Sequence, residues 1–424
     1  MSFRPPLFWL IGLLWLMLSS LAGAAMLLTT TAGWTLPPGL RLVHVHGALV
    51  GGVAQIILGA LLTFVSPLLL TGGSRSDSHL VLFTAHNAGT IGLVTGFALR
   101  DYTVVGIAGL IVLLVFLSVF MDMVKQSRQS LISPPLNIWF YGCALVALFV
   151  GLGIGEAIAL RRWPVTLTGQ GRLAHIHLNL IGFVTLTIVG TMHNLFPTVL
   201  QTPLHSPRLA RLTFWLFPTG ILGLITGFLY SNVPAEIGAG VVLLMAAALY
   251  GYNMLLTWMR AGRSRSAAGD HLMMATFFLV ATVVAGLLVA VNARWDPPAV
   301  PFGSLHLMAY THLALIGFIL QTIMGALSHL LPITLAVGRV KSNKKRGAYL
   351  TQLTTIIERW RAIQIGALGL GTMGLALVAA LVWQFPLISV PVRLATWISI
   401  VLLLFSLGLF SVKVALLVTH SPEA

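Results

Sequence analysis

Histidines are the residues of this sequence whose spacing points most directly to chemistry. His44 and His46 form a His-x-His pair, and His175 and His177 form a second pair 131 residues later. Residues two positions apart on a helix point about 200° apart, so each pair presents its imidazoles to two neighbours and not to one ion. Neutral imidazole is a common ligand of haem iron and copper. The pairs therefore predict ligands on helices that lie between two sites.

A third segment repeats this pattern with one change. Tyr310-Thr311-His312 takes the place of a histidine pair, and His306 lies six residues before His312. In all three segments glycines follow the second histidine by five and thirteen residues, and a proline follows by twenty or twenty-one. Close packing of membrane helices explains the glycines. The histidines, which packing does not explain, are interpreted as functional. The alternative is that they lie at helix ends in the membrane interface, where polar side chains are tolerated.

Two arginines and three further histidines extend the candidate set. Arg41 and Arg172 each stand three residues before the first histidine of a pair, where a guanidinium binds the carboxylates of a haem or extends toward lipid headgroups. His86, His193 and His329 are predicted on the inner half of the protein, as metal or proton-relay residues or as packing residues. His79 lies seven residues before His86 and is predicted on the same helix face. His205, His271 and His420 are predicted to lie in loops or at helix ends and to carry little functional signal.

Membrane-spanning helices must position these residues. The chain is 58% hydrophobic and only 8% charged, whereas soluble domains carry about 25% charged residues. Its long apolar runs suffice to cross a hydrocarbon core of about 30 Å, and lipid offers the backbone no hydrogen-bond partners, so the runs must be helical. The fold class is therefore all-α integral membrane, with twelve predicted helices at 6–28, 40–68, 79–100, 102–124, 134–161, 172–200, 208–231, 234–261, 270–292, 304–333, 360–384 and 388–419.

The twelve helices are predicted to form three four-helix units within one membrane domain, 1–424. The 131-residue offset of the histidine pairs also relates Gly92 to Gly223 and Gly96 to Gly227, which extends the repeat to a second helix. A pseudo-threefold arrangement is expected, with quasi-repeats at 1–133, 134–269 and 270–424. The positive-inside rule places both termini and most of the 24 lysine and arginine residues in the cytoplasm. Residues 334–359 are predicted to be a basic cytoplasmic loop.

Composition and missing motifs exclude several functions. The net charge of +15 is explained by membrane orientation, so no nucleic-acid partner is expected. The single cysteine, Cys143, excludes an internal disulfide and a CxxC haem-attachment motif. The sequence contains no phosphate-binding glycine loop, catalytic serine motif or HExxH zinc motif. With only nine carboxylates, it is poor in the buried acids of proton-coupled transporters.

Twelve helices in three units, with histidines near the outer ends of the second, sixth and tenth, resemble subunit I of the haem–copper oxidases. The segment 174–183, continuing through 190–197, looks like short relatives of the cbb-type subunit I. The segment 41–67 is similar to the His-x-His segment of NnrS-type proteins, which are haem- and copper-binding membrane proteins linked to nitric oxide stress. The resemblance implies one or two haem b groups, with copper as the second candidate cofactor.

The resemblance also implies roles for individual residues. His46 and His312 become the axial ligands of a low-spin haem b, with His44 and His306 as further haem-site residues. His177 becomes a copper ligand, with His175 second. The His-Pro-Glu-Val-Tyr string of the oxidase sixth helix and the His-His pair of the seventh are absent from this sequence.

Three functions follow from the sequence. The first is a redox protein of the bacterial inner membrane that passes electrons to O2 or NO, or reduces them. It would use a cytochrome c-type or quinol donor, with a partner membrane subunit as a further candidate. The second is a non-catalytic NnrS-like protein that binds haem, copper or NO in stress defence. The third is a polytopic transporter whose histidines coordinate a metal.

Overall fold

Twelve helices in the described part of the chain are long and apolar enough to cross a membrane. The computed structural model describes residues 5–71, 76–263, 266–294 and 309–422, and these contain no strand. The helices are α1 Pro5–Thr31, α2 Leu40–Leu68, α3 Ser76–Leu99, α4 Tyr102–Gln129, α5 Leu136–Ala159, α6 Val165–Leu200, α7 Pro207–Leu229, α8 Val233–Arg260, α9 Ala267–Asn292, α10 Ala309–Arg339, α11 Arg361–Gln384 and α12 Val390–Thr419. The predicted all-helical fold with twelve spans is confirmed. The chain is a multi-pass membrane protein.

Three of the spans change to π-helix immediately after a candidate histidine. The π-helical segments are Gly47–Ala54 in α2, Leu178–Thr185 in α6 and Leu313–Leu320 in α10, and the residues before them are His46, His177 and His312. π-Helices are rare and occur frequently at functional sites. Because a π-helical segment of eight residues follows each histidine, the three helices share one backbone geometry at this level. The boundaries of the three quasi-repeats, and a threefold arrangement, stay a prediction.

Glycines allow the histidine-bearing helices to lie directly on the helices that precede them. A Cβ atom on Gly59 of α2 would lie 2.6 Å from Cβ of Phe8 in α1, and one on Gly190 of α6 would lie 2.5 Å from Cβ of Phe140 in α5. Real Cβ atoms do not approach so closely, so only glycine fits at either position. This is the small-residue packing that membrane helices use in place of a hydrophobic driving force.

Polar residues begin several of the helices. Asp101 precedes α4, and its carboxylate accepts hydrogen bonds from the backbone N–H groups of Thr103 at 2.9 Å and Val104 at 3.2 Å. Ser206 and Ser266 cap α7 and α9 in the same way. These side chains satisfy N–H groups that have no partner within the helix.

The described chain packs into two compact units. The first comprises the described residues of Met1–Gly23, Leu36–Asn194 and Ser206–Tyr250, and the second those of Ala24–Thr35, Leu195–His205 and Gly251–Ala424. In the first unit, the rings of Phe116 in α4 and Phe183 in α6 meet edge to face with centroids 5.4 Å apart. In the second, Phe278, Phe318 and Phe410 are each at most 2% exposed. Large aromatic side chains thus fill the interior of each unit.

The segment 334–359 is mostly helical, which corrects the prediction of a solvated loop. α10 continues to Arg339, and Asn343–Glu358 form a separate helix, the linker helix. Its residues Tyr349, Leu353 and Ile357 are at most 2% exposed. They recur every four positions, the spacing of an amphipathic helix, whereas the segment is too polar to resemble a membrane span. The cytoplasmic placement of this helix stays a prediction.

Arg339 fastens the linker helix to the end of α12. Its guanidinium donates hydrogen bonds to the hydroxyl of Tyr349 at 2.9 Å and to the backbone oxygens of Val418 at 2.6 Å and His420 at 2.7 Å. The last carbonyl groups of a helix have no partner within the helix. Arg339 therefore acts as a C-terminal cap supplied from another element.

Replacing Arg339 by methionine is expected to loosen the end of α12. Hydrogen bonds to a charged group contribute about 1.5–3 kcal/mol, so amide hydrogen exchange over residues 415–421 should accelerate by at least about tenfold. Hydrogen–deuterium exchange with mass spectrometry measures this directly. Lys341→Met, at an exposed position, is the control and should leave the exchange unchanged. Equal protection in the two variants would contradict the capping role.

Candidate functional site

The first histidine of each pair is held by the helix that precedes it. Nδ1 of His44 in α2 lies 2.7 Å from the backbone oxygen of Ser19 in α1. Nδ1 of His175 in α6 lies 2.7 Å from the backbone oxygen of Gly151 in α5. Because a carbonyl oxygen only accepts, Nδ1 carries the hydrogen in both rings. The lone pair is therefore on Nε2, the nitrogen available to a metal.

The second histidine of each pair is bonded to its own helix and covered by an aromatic ring. Nδ1 of His46 lies 2.9 Å from the backbone oxygen of Leu42, and its ring lies 4.4 Å from the ring of Phe97 in α3, centroid to centroid. In the second copy, Nδ1 of His177 lies 2.8 Å from the backbone oxygen of Leu173. The ring of Phe228 in α7 lies 4.6 Å from it. Phe97 and Phe228 are again 131 residues apart, so the repeat extends to what surrounds the histidines.

A glycine supports the first histidine of each pair. A Cβ atom on Gly23 would lie 2.6 Å from Cε1 of His44, and one on Gly155 would lie 2.6 Å from Cε1 of His175. In the third copy, a Cβ on Gly286 would lie 2.9 Å from the ring of Tyr310. The tyrosine therefore occupies the place of the first histidine in the structure as well as in the sequence.

The structure places the remaining haem-site candidates differently. His46 and His175 lie close enough for charges on their rings to interact electrostatically. His312 is half-buried at the start of its π-helical segment, whereas His306 lies outside the described residues. Arg41 and Arg172 are exposed, where a guanidinium reaches either a haem carboxylate or a lipid headgroup. Their assignment to a haem stays a prediction.

The candidates of the inner half lie in separate environments. His86 in α3 is fully buried, with Nε2 3.0 Å from the backbone oxygen of Val50, and no described residue bonds its Nδ1. His193 in α6 is 5% exposed and stacks on Phe140, with ring centroids 5.6 Å apart. His329 in α10 is half-buried. Within the described ranges, no three histidine, cysteine, aspartate or glutamate side chains come together as a metal-binding group.

The paired histidines of the first unit have a tautomer that suits a haem ligand, because each holds its hydrogen on Nδ1 and its lone pair on Nε2. A haem needs one imidazole on each face, with Nε2 presented and Nδ1–H anchored. His46 and His177 both have that anchored geometry. A copper site of the oxidase kind needs three converging imidazoles, and the described residues assemble no such group.

Two kinds of residue at the site were missed by reasoning from the sequence. The anchoring carbonyls of Ser19 and Gly151 carry no sequence signal, since any residue supplies a backbone oxygen. Phe97 and Phe228 did carry one, because they follow Gly96 and Gly227 at the same repeat offset. His271, predicted to lie at a helix end with little signal, is 1% exposed inside α9. Lys413 of α12 is also buried, being 3% exposed.

Comparisons with known proteins place the fold. No protein-family model matches the chain. An uncharacterized protein of Aquifex aeolicus (strain VF5) is 31% identical over 163 residues, which are 37% of this chain and 41% of that protein. The match thus spans less than half of the relative's length. A cryo-EM structure of a haem–copper terminal oxidase dimer superposes with a TM-score of 0.74 at 11% identity, over 100% of this chain and 86% of that one. The chain has the twelve-helix fold of a haem–copper terminal oxidase.

Proposed function

We propose that this chain is a haem-binding redox protein of the bacterial inner membrane that passes electrons to O2 or NO, or reduces them. The observation that carries the proposal is the repeated anchoring of the histidines. In two copies, both imidazoles of the pair hold Nδ1 against a backbone oxygen. A fixed tautomer that presents Nε2 is the arrangement typical of metal-bound histidine. The oxidase fold supports the same interpretation.

The axial ligands proposed are His46 and His312, and their pairing rests on the family resemblance alone. A bound haem b supplies one-electron transfer. The chain's residues hold the imidazole orientation: the backbone oxygen of Leu42 fixes the His46 tautomer, and the ring of Phe97 restricts its rotation. A cytochrome c-type or quinol donor, a partner membrane subunit and a second haem belong to the same proposal.

A second candidate function is non-catalytic binding of haem or NO in stress defence. It is favoured by the lack of a three-ligand metal group among the described residues, since reduction of O2 by a haem–copper enzyme requires a second metal beside the haem. His177 and His175 remain the proposed copper ligands if copper binds. In the described part of the chain they are anchored separately, to Leu173 and Gly151.

A reduced-minus-oxidised absorption spectrum tests the haem proposal. Full-length protein purified from cells supplied with haem should show the bands of a six-coordinate b-type haem. A spectrum without a b-type signal, in protein that is folded and monodisperse, would contradict both haem functions and favour a metal transporter.

Gas consumption then separates the two haem functions. With an artificial electron donor, a catalytic protein should consume O2 or NO in proportion to its haem content. Haem-loaded protein that consumes neither gas, while its haem is reduced normally by the donor, would support the non-catalytic function.

A further inference from the structure

A buried polar chain in the second compact unit has no part in the proposed haem site. It consists of four side chains from four helices: His271 in α9, Gln321 in α10, Gln364 in α11 and Lys413 in α12. Each is at most 3% exposed. Ionisable side chains buried within a membrane bundle are costly and mark proton or ion pathways more often than packing.

The hydrogen bonds of this chain run in one direction. Nζ of Lys413 donates to the backbone oxygen of Ile357 at 3.0 Å and to Oε1 of Gln364 at 2.5 Å. Nε2 of Gln364 lies 3.2 Å from Nε2 of His271 and donates to it. Nδ1 of His271 then donates to Oε1 of Gln321. The Gln364 amide thus accepts from Lys413 through Oε1 and donates to His271 through its N–H.

Three charged side chains, Glu358, Arg361 and Asp270, lie near this chain. Glu358, at the end of the linker helix, attracts Lys413 electrostatically. Arg361 at the start of α11 pairs with Glu358 at 3.0 Å and with Asp270 of α9 at 3.3 Å, and these three side chains are about a third exposed. Among the described residues, the side chains of α10 that contact the polar chain are uncharged: Gln321 and Met324. From α12, Ser406 adds a hydroxyl that donates to the backbone oxygen of Gln364. The three charged side chains form an ion cluster that stands next to both bases, with Glu358 acting on Lys413 and Asp270 immediately before His271.

One base of this chain, His271, occupies a position that is apolar in the other two copies. A Cβ on Gly325 of α10 would lie 2.8 Å from Cγ of Leu272 and 3.0 Å from Cβ of His271. The Cβ atoms that Gly59 and Gly190 would meet are those of Phe8 and Phe140. His271 therefore stands where the first two copies carry phenylalanine. Apolar packing satisfies that position in two copies, so packing alone does not require a histidine in the third.

The fourth helix of each copy carries a polar residue at the level of Lys413. A Cβ on Gly89, Gly220 or Gly371 would meet Val112, Leu243 or Leu403 in the following helix. Ten residues further along, these helices carry Asp122, Asn253 and Lys413, respectively. A polar residue recurs at this level, but only the third copy combines a base here with a base at the phenylalanine position.

We propose that Lys413 and His271 hold one proton between them, and that inversion of the Gln364 amide accompanies its transfer. In the first of two states the proton is on Nζ of Lys413, which donates to Oε1 of Gln364, and Nε2 of His271 accepts from the Gln364 amide. When the proton leaves Nζ and arrives at Nε2 of His271, the amide turns by half a rotation. Its Oε1 then accepts from the imidazolium, and its N–H donates to the neutral amine. Charge and hydrogen bonds balance in both states.

A single shared proton follows from the charges and the burial. Two cations on either side of one amide would repel each other, and like charges in a dry site disfavour double protonation. If neither base were protonated, the backbone oxygen of Ile357 and Oε1 of Gln364 would accept only from the neutral amine of Lys413, which is a weaker donor. The side chains of the ion cluster, Glu358, Arg361 and Asp270, are about a third exposed, and in this proposal the cluster links the site to water. The proposal concerns a proton site and is independent of haem binding.

Solid-state 15N NMR of the full-length, histidine-labelled protein in liposomes tests the proposal. The signal of His271 is identified by its loss in His271→Phe, a substitution that reproduces the residue of the other two copies. In the wild type at neutral pH this signal should be that of a neutral ring with hydrogen on Nδ1. Lys413→Met should convert a substantial fraction of it, at the same pH, to the imidazolium signal. An unchanged signal would overturn the shared proton.

Two further variants keep the test decisive if Lys413→Met fails to fold. Gln364→Glu preserves the side-chain volume and places a carboxylate between the two bases, so His271 should become fully protonated beside a charged Lys413. Thr372→Val removes a buried hydroxyl of α11 that bonds only within its own helix, to Leu368, and should leave the His271 signal unchanged. A His271 signal that stays neutral in Gln364→Glu would also overturn the proposal.

Discussion

We expect His46→Ala to abolish the low-spin haem signal, and His312→Ala to do the same. An iron that loses one of two axial imidazoles becomes five-coordinate and high-spin, and alanine offers no replacement ligand. The hydrogen bond from Nδ1 of His46 to the backbone oxygen of Leu42 is lost with the ring, so nothing in the variant holds a ligand at this position. Absorption and electron paramagnetic resonance spectra of purified protein measure the change of spin state, which should be complete in each variant.

His205→Ala is the matched control for these substitutions. His205 lies between α6 and α7, outside the spans, and its backbone N–H bonds to the hydroxyl of Thr257, an interaction that alanine retains. Its low-spin signal should equal that of the wild type. Survival of the low-spin signal in both His46→Ala and His312→Ala, at wild-type haem content, would show that the axial ligands lie elsewhere. Loss of the low-spin signal in only one variant would mean that the histidine substituted in the other variant is not an axial ligand.

Composition and periodicity suffice to predict the spans of this protein, because each must satisfy its own backbone in lipid. They do not predict the π-helical segments after His46, His177 and His312. A π-helix and an α-helix of the same apolar sequence bury similar side chains. The difference arises from contacts with neighbouring helices, which the local pattern does not encode.

The linker helix shows the same limit of prediction from the sequence. Its polar residues predicted a loop, and only contacts with α10 and α12 reveal why Tyr349 and Ile357 are buried. The burial of Lys413 follows from that helix, whose Ile357 oxygen accepts from Nζ. A lysine six residues from the end of a span is ordinarily expected to extend to the interface. Here the linker helix covers the place to which it would extend.

The histidine pairs were recognisable from the sequence because both members recur at one offset, whereas a single buried histidine has no such signature. His271 occurs once, at a position where the other two copies have Phe8 and Phe140, so no repeated histidine marks it in the sequence. A change of residue class within a repeat is thus a second sequence signal, but it can be read only when structure fixes the equivalent positions.

Gly155→Ala is expected to displace the imidazole of His175. The new Cβ would lie 2.6 Å from Cε1 and 2.7 Å from Nδ1 of that ring, so the hydrogen bond to the backbone oxygen of Gly151, at 2.7 Å, cannot persist. Overpacking of this kind costs about 1–3 kcal/mol. Unfolding of the purified protein in mixed detergent should show a loss of that size. If His175 is a cofactor ligand, the spectrum of the bound group should also change.

Two companion variants isolate the clash with the ring. Gly153→Ala lies two residues away, on another face of the same helix, and its new Cβ would have no atom of another element within 4 Å, so it should be neutral or stabilising by about 0.5–1 kcal/mol. In Gly155→Ala combined with His175→Ala the ring is absent, and the coupling between the two substitutions should recover most of the Gly155→Ala cost. Equal effects of Gly153→Ala and Gly155→Ala, or additive costs in the double variant, would show that Gly155 does not support the histidine.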